Sequence, residues 1–269
     1  MPEVAKNILA LVLSIIVVHL FYAGYVWPES AALIEASRAA GQSAPRNIVV
    51  ILKDWEQEIA IILMFWGLYL IFEKSIAILR ERYLFNVDLL DGNGNGESGK
   101  DADMAATLAS LEGLPEKIRR APLVRTLMAS LRRFLITGDV HNTSETIEAS
   151  VDAMAQKQEA ENSLIRYLIW AIPAIGFIGT VRGIGEALSQ ADQALAGDIA
   201  GMTESLGVAF NSTFVALLIS IVLMFLLHQL QRLQDGMLVD TQEYCESFLL
   251  NRISAVGLAT AATDKAGES

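Results

Sequence analysis

The sequence predicts an all-α integral membrane protein with four transmembrane helices and a helical cytoplasmic segment between the second and the third. Composition is the first reason for this fold class. The 269-residue chain is 53% hydrophobic and its mean hydropathy is +0.40, which is too apolar for a typical soluble protein of this length. Pattern is the second reason, because the apolar residues form long runs and no stretch shows the alternation of a β-strand.

Four apolar runs give the predicted spans, since a transmembrane helix needs about 20 apolar residues. The runs cover roughly Ile8–Trp27, Ile59–Leu79, Leu164–Leu188 and Glu204–Leu230. The first run has no small-residue cleavage site before Pro28, so we expect a retained helix and not a signal peptide. The third run contains a proline and several glycines, which a spanning helix tolerates where other helices pack against it.

These runs divide the chain into four predicted regions. An N-terminal transmembrane hairpin occupies residues 1–79 and includes an outer loop at residues 28–57. A cytoplasmic helical segment follows at residues 80–163. A second transmembrane hairpin covers residues 164–230, and a cytoplasmic C-terminal helix and tail cover residues 231–269.

A glycine-rich linker is predicted at residues 91–101, which include no apolar side chain. The linker resembles a phosphate-binding loop, but Asp101 occupies the position that requires Ser or Thr. It also imitates the first half of a calcium-binding loop, but Ala102 occupies the position of the bidentate Glu. We therefore predict neither a nucleotide site nor a metal site here.

Helical patterns fill the rest of the cytoplasmic segment and extend beyond it. They cover roughly Asp101–Gly113, Pro115–Thr137 and Thr143–Asn162. The last pattern runs without a breaker into the third span, and the fourth span continues as a helix to about Val256. In the outer loop, a short helix is predicted near Ser30–Ala40.

The positions of Lys and Arg predict the orientation. The segment between the second and third spans carries Lys74, Arg80, Arg82 and Arg166 close to the span ends, whereas the loop after the third span carries Arg182 alone. By the positive-inside rule, both termini and the middle segment face the cytoplasm.

Several functional classes are disfavoured by the sequence. The single cysteine, Cys245, excludes an internal disulfide and a Cys-rich metal site. A net charge of −11 argues against nucleic acid as a partner. The histidines His19, His141 and His228 are scattered and no nucleophile has a visible base, so we expect no enzyme, no cofactor and no metal. His19 lies within a span, as a neutral imidazole that bonds neighbouring helices or as a proton-handling group.

The third span is unusually rich in small residues. It carries Pro173, Gly176, Gly179 and Gly183. Glycines lower the stability of a helix, so within a span they indicate close approach to another helix.

Two threonines fall at matched depth in the last two spans. Thr180 lies roughly 24 Å from the inner end of the third span, and Thr213 lies roughly 25 Å from that of the fourth, at 1.5 Å per residue. A single polar residue in a span often does no more than bond a neighbouring helix. Two at one depth, beside Asn211 and Ser212, favour a polar lumen.

Neither of these spans has a carboxylate at its centre. A proton path along them would need water, or a carboxylate from a partner. Two helices cannot enclose a pore, so several copies of the chain would be required. At the outer rim, Arg182 and Glu186 are a possible ion pair.

The motif Pro173-Ala-Ile-Gly-Phe-Ile-Gly-Thr-Val-Arg-Gly-Ile resembles the signature of the MotA/TolQ/ExbB proton-channel family, and Ala209-Phe-Asn-Ser-Thr is similar to the start of the family's next helix. The resemblance implies a homopentamer in the bacterial inner membrane, with residues 164–230 as its pore-lining hairpin. The pore would surround a dimer of a single-span protein of the ExbD, TolR or MotB kind that brings an aspartate. Ion flow would drive motion, and Thr180 and Thr213 would be the pore threonines.

Two features depart from TolQ and ExbB. Two spans precede the cytoplasmic segment, as in the flagellar stator and Zorya subunits, and Arg182 replaces an uncharged residue. Two other functions are alternatives: a non-conducting oligomeric scaffold in the lipid membrane, and a small-solute transporter. A transporter would need inverted internal symmetry, which the sequence does not show.

Overall fold

The fold was derived from a computed structural model, which describes residues 3–40, 45, 47–86 and 100–250. The described residues contain helices and turns but no β-strand. Four of the helices are long and apolar enough to cross a membrane: Val4–Ala39, Trp55–Glu81, Val140–Ser189 and Ala200–Ser247. The predicted fold class is therefore confirmed. The predicted linker at residues 91–101 lies almost entirely outside the described residues.

The first span is longer than its apolar run. It consists of α1 (Glu3–Phe21), a π-helical turn (Tyr22–Val26) and α2 (Trp27–Ala39), without a break between them. Pro28 does not end the helix, because it occupies the first turn of α2, where a missing N–H is tolerated, and the wide π-helical turn precedes it. The short helix predicted near Ser30–Ala40 is thus the end of the first spanning helix.

The second span follows a short outer helix. Asn47 caps α3 (Ile48–Ile51) by accepting a hydrogen bond of 3.1 Å from the backbone N–H of Val49. After a turn, α4 (Trp55–Glu81) begins and continues into a 3₁₀ turn at Arg82–Asn86.

Among the described residues between the second and third spans are three α-helices: α5 (Lys100–Glu112), α6 (Glu116–Arg119) and α7 (Pro122–Thr137). The sequence predicted one helix over residues 115–137, and this prediction is wrong. Ala121 is extended, with φ −60° and ψ 140°, because the residue before a proline avoids the helical region. Gly138, at φ 62°, ends α7 in the left-handed conformation.

The remaining helices include the two longest. They are α8 (Val140–Ser189), the short α9 (Ala191–Leu195) and α10 (Ala200–Tyr244), which passes into a π-helical turn at Cys245–Leu250. The third predicted span is the second half of α8, and no break separates it from the preceding cytoplasmic pattern, as the sequence predicted. The helix end predicted at Val256 lies outside the described residues.

The chain forms two compact units. The first, here called the membrane unit, comprises residues 1–74 and 162–230 and contains the apolar parts of the four spans. Many of its large apolar side chains are exposed, which is typical of a surface that contacts lipid or other membrane helices. The second unit comprises residues 75–161 and 231–269. Its core is apolar and includes Leu111, Leu123, Leu127, Leu131 and Ile147.

Candidate ion pathway

Within the membrane unit, α8 packs against α10 through its glycines. A Cβ atom added to Gly176 would lie 2.5 Å from the Cβ of Ala216, and one added to Gly183 would lie 2.6 Å from the backbone nitrogen of Ala209. Gly179 faces α10 in the same way. The two backbones therefore approach more closely than any side chain at these positions would allow.

The hydroxyls of Thr180 and Thr213 contact each other across this glycine seam. Thr180 Oγ1 donates to the carbonyl oxygen of Ala209 at 2.9 Å, and Thr213 Oγ1 lies 3.2 Å from the carbonyl oxygen of Gly176. Each threonine thus reaches the backbone of the other helix. Both side chains are half-buried, and a hydroxyl oxygen has two acceptor lone pairs in addition to its donor, so the pair can bind a further polar group.

Pro173 interrupts the hydrogen bonds of α8 about two turns before Thr180. A proline has no N–H, so the carbonyl oxygen of Ile169, four residues earlier, lacks its helical donor. Ser220 of α10 supplies the donor, because its hydroxyl lies 3.1 Å from that carbonyl oxygen and is buried. Ser220 was not predicted from the sequence, although a serine on the facing helix is a usual solution to a proline in a span.

The other two pore-wall candidates have different surroundings. Ser212 is buried, donates to the carbonyl oxygen of Val208 at 2.8 Å and accepts a bond of 3.4 Å from Nε2 of Gln57. It therefore faces the first hairpin. Asn211 is half-buried and lines an open groove together with Phe210. Neither residue contacts the threonine pair through a hydrogen bond of its side chain.

Arg182 is the centre of an ionic cluster at the end of the third span. It forms the predicted ion pair with Glu186 at 3.0 Å. Its stronger partner is Glu56 in α4, which it binds through Nε at 2.7 Å and Nη2 at 3.0 Å in the bidentate geometry that favours Arg–carboxylate pairs. The side chain of Glu56 is 0% exposed, whereas that of Glu186 is 47% exposed. Asp54 adds a third contact, at 3.4 Å.

Side chains in the first turn of α4 form hydrogen bonds with helices of all three other spans. Glu56 binds α8 through Arg182, Gln57 binds α10, and Glu58 binds α1 through Nδ1 of His19 at 2.8 Å. Consecutive residues of a helix point about 100° apart, so a run of three buried polar residues means that other segments enclose the turn. These interactions were not predicted from the sequence. The signal for them is the run of three polar residues directly before the apolar run of the second span.

Asp54 precedes α4 and is strongly affected by burial. Burial raises the pKa of its carboxyl group above the usual value of 3.8, and the nearby charges of Lys53 and Arg182 offset only part of the shift. One of its oxygens, Oδ2, is buried and has no hydrogen-bond partner among the described residues.

The described residues contain no group of three or more His, Cys, Asp or Glu side chains that could hold a metal ion. Cys245 is buried within the second unit. The membrane unit contributes hydroxyl, amide and ionised groups to the candidate site.

Comparison with known proteins bears on the same helices. The sequence model of the MotA/TolQ/ExbB proton channel family matches residues 118–243, which include the threonine pair and the glycine seam. No curated protein and no solved structure matches the chain. The family implies a membrane proton channel and not an enzyme. Residues 118–243 of the chain are therefore similar in sequence to the MotA/TolQ/ExbB proton channel family.

Proposed function

We propose that the chain is the pore-lining subunit of a homopentameric proton channel in the bacterial inner membrane, with both termini in the cytoplasm. With a dimer of a single-span partner, it would act as the stator of a motor that converts ion-motive force into mechanical motion. The contact between Thr180 and Thr213 carries the proposal, because it places two hydroxyls side by side within the matched region.

The chain's own composition supports the need for a partner. No Asp or Glu occurs from residue 164 to residue 185 or from residue 205 to residue 230, so the apolar lengths of α8 and α10 provide no titrating carboxylate. In this proposal the partner's aspartate supplies it. The threonine hydroxyls would donate to that carboxylate, or to water that carries its proton, and Asn211 and Ser212 remain weaker candidates for the same wall.

Mass spectrometry of the complex, isolated in native form from its host, tests this architecture. We expect five copies of the chain together with two copies of a smaller single-span protein. A monomer or dimer without such a protein would contradict the enclosed pore. A complete complex that conducts no protons in vesicles would instead favour the non-conducting scaffold.

A further inference from the structure

His19 and Glu58 form a pair that the proposed pore does not use. Nδ1 of His19 lies 2.8 Å from Oε1 of Glu58, and the ring of His19 meets that of Trp27 edge-on at 5.6 Å between centroids. The Glu58 side chain is only 10% exposed, while the His19 side chain is 56% exposed at the surface of the subunit. The pair therefore joins a buried carboxylate to a group that can be reached from outside the subunit.

The two glutamates of this turn differ in the kind of cation that each binds. Glu56 binds Arg182, whose guanidinium group remains protonated in proteins, so Glu56 is neutralised without taking up a proton. The ion-pair partner of Glu58 among the described residues is His19, and an imidazole gains and loses its proton near neutral pH. Glu58 is thus neutralised only when the pair holds a proton.

The pair of His19 and Glu58 is electrically neutral while it holds one proton. An unpaired carboxylate in an apolar environment is costly. Either arrangement, an imidazolium beside a carboxylate or an imidazole beside a carboxylic acid, is neutral and contains one bound proton. If the proton leaves, one negative charge stays buried in the membrane unit.

The surrounding charges do not replace that proton. Among the described residues, Tyr22 interacts electrostatically with Glu58 and Asp54, and Lys53, Glu56 and Arg182 in turn surround Asp54. Lys53 is bound by Glu204 at 2.8 Å, and Arg182 is bound by Glu56, so both nearby cations are already paired. The phenol of Tyr22 is buried and its oxygen has no hydrogen-bond partner among the described residues.

We propose that His19 and Glu58 form a proton-binding site, separate from the threonine pair, that exchanges protons with the outer aqueous phase. A hydronium ion gives its proton to Oε1 of Glu58 or Nδ1 of His19 and leaves as water, and release is the reverse. Glu58 lies in the first turn of α4, directly before the apolar run that begins at Ile59, and the contact of His19 with Glu58 places the pair at that end of the second span. Both are therefore near the outer end in the proposed orientation.

The site has a route by which it can affect the pore. Gln57, next to Glu58 in α4, bonds Ser212, which adjoins Thr213 in α10. Loss of the proton would change the net charge of the first turn of α4, which contains both Gln57 and Glu58. This role in conduction rests on the proposed function, whereas proton binding by the pair does not.

Solid-state NMR of the complete complex in lipid bilayers tests the site directly. With ¹⁵N-labelled His and ¹³C-labelled Glu, the signals of His19 and Glu58 should change at one common midpoint as the pH is varied, because coupled groups titrate as a pair. In Glu58→Gln, the pH response of the His19 signal should differ from that in the wild type, because the carboxylate that shares its proton is gone. Separate midpoints in the wild type, or an unchanged His19 midpoint in Glu58→Gln, would overturn the proposal.

Matched variants assign the signals and isolate the effect. Glu73→Gln changes a glutamate at the other end of α4, which lies 3.9 Å from Lys6, and should leave the His19 midpoint unchanged. His228→Gln removes another spanning-helix histidine and should do the same. In the wild type, a ¹⁵N–¹³C correlation between the two neighbouring side chains also identifies their signals, so the wild-type titration decides the proposal even if Glu58→Gln does not fold. Absence of proton flux through the wild-type complex would contradict the proposed function without altering the result of this titration.

Discussion

The hydroxyl of Ser220 donates a hydrogen bond of 3.1 Å to the carbonyl oxygen of Ile169, the acceptor that Pro173 leaves without its helical donor. The apolar part of a span offers no water to replace a missing donor, so an unpaired carbonyl there is costly. The bond therefore makes α10 part of the structure of α8 and allows the proline to remain in the third span.

Ser220→Ala should lower the free energy of unfolding by about 0.5–1.5 kcal/mol, the usual contribution of one hydrogen bond. Reversible unfolding in mixed micelles measures the change. Ser14→Ala is the matched control, because the Ser14 hydroxyl bonds the carbonyl of Ala10 within its own helix, where a backbone donor is already present. An equal loss in both variants would contradict the role of Ser220.

Pro173→Ala should make the Ser220→Ala substitution less costly. The alanine restores a backbone N–H for the carbonyl of Ile169, so Ser220 is no longer its sole donor. A double-mutant cycle measures this coupling. Additive effects of the two substitutions would show that the proline and the serine act independently.

Glu56→Gln should be far more destabilising than Glu186→Gln, although both glutamates bind Arg182. Breaking a buried ion pair costs up to about 3–5 kcal/mol, and the contacts of Arg182 with Glu186 and Asp54 should offset part of this loss. An exposed pair contributes about 0–1 kcal/mol, and Glu186 is the more exposed of the two. Unfolding measurements on the two variants provide the test, and similar losses would contradict the assignment of Glu56 as the main partner.

Gly183→Ala should weaken the packing of α8 against α10. The new Cβ atom would lie 2.6 Å from the backbone nitrogen of Ala209, so one of the helices must move. Gly185→Ala is the control on the same helix, since its Cβ atom would meet nothing within 4 Å, and it should stabilise the helix by up to about 1 kcal/mol. Thermal unfolding and the yield of assembled complex distinguish them, and equal behaviour would refute close packing at Gly183.

The Asp54→Asn variant should gain stability relative to the wild type as the pH rises. The pKa of Asp54 is raised in the folded protein, so its contribution to stability is full below the unfolded value of 3.8 and is lost as the pH rises through the higher folded value. Asparagine does not ionise and avoids this loss. The free energy of unfolding of the wild type and of the variant should be measured between pH 4 and pH 7, with Asp192→Asn, at an exposed position, as the control. The difference from the wild type should widen with pH for Asp54→Asn alone. A difference independent of pH would be inconsistent with this account.

The hydrophobic pattern predicted the four spans because a spanning helix needs a long apolar run. It did not show that Pro28 lies inside a helix, since a π-helical turn before the proline removes the usual clash. It also missed the break before Pro122, where the restriction on Ala121 prevails over the helical pattern on either side.

The site was predicted in part. Residue counts along the two spans predicted that Thr180 and Thr213 lie at the same depth, and the structure shows their hydroxyls in contact. The interactions of Glu56 and Glu58 with other spans depend on how the helices are rotated and arranged around α4, which the spacing along one chain does not encode. The same is true of Ser220, whose partner is 51 residues away in the chain.

The central claim is that the threonine pair forms part of a proton path, and proton flux through vesicles that contain Thr213→Val in complex with the single-span partner tests it most directly. Valine keeps the shape of the side chain and removes its hydroxyl. A hydrogen bond to a charged group contributes about 1.5–3 kcal/mol, so the account predicts that flux falls by about tenfold or more while the complex still assembles. Thr213→Ser should restore it. Wild-type flux through an assembled Thr213→Val complex would contradict the claim.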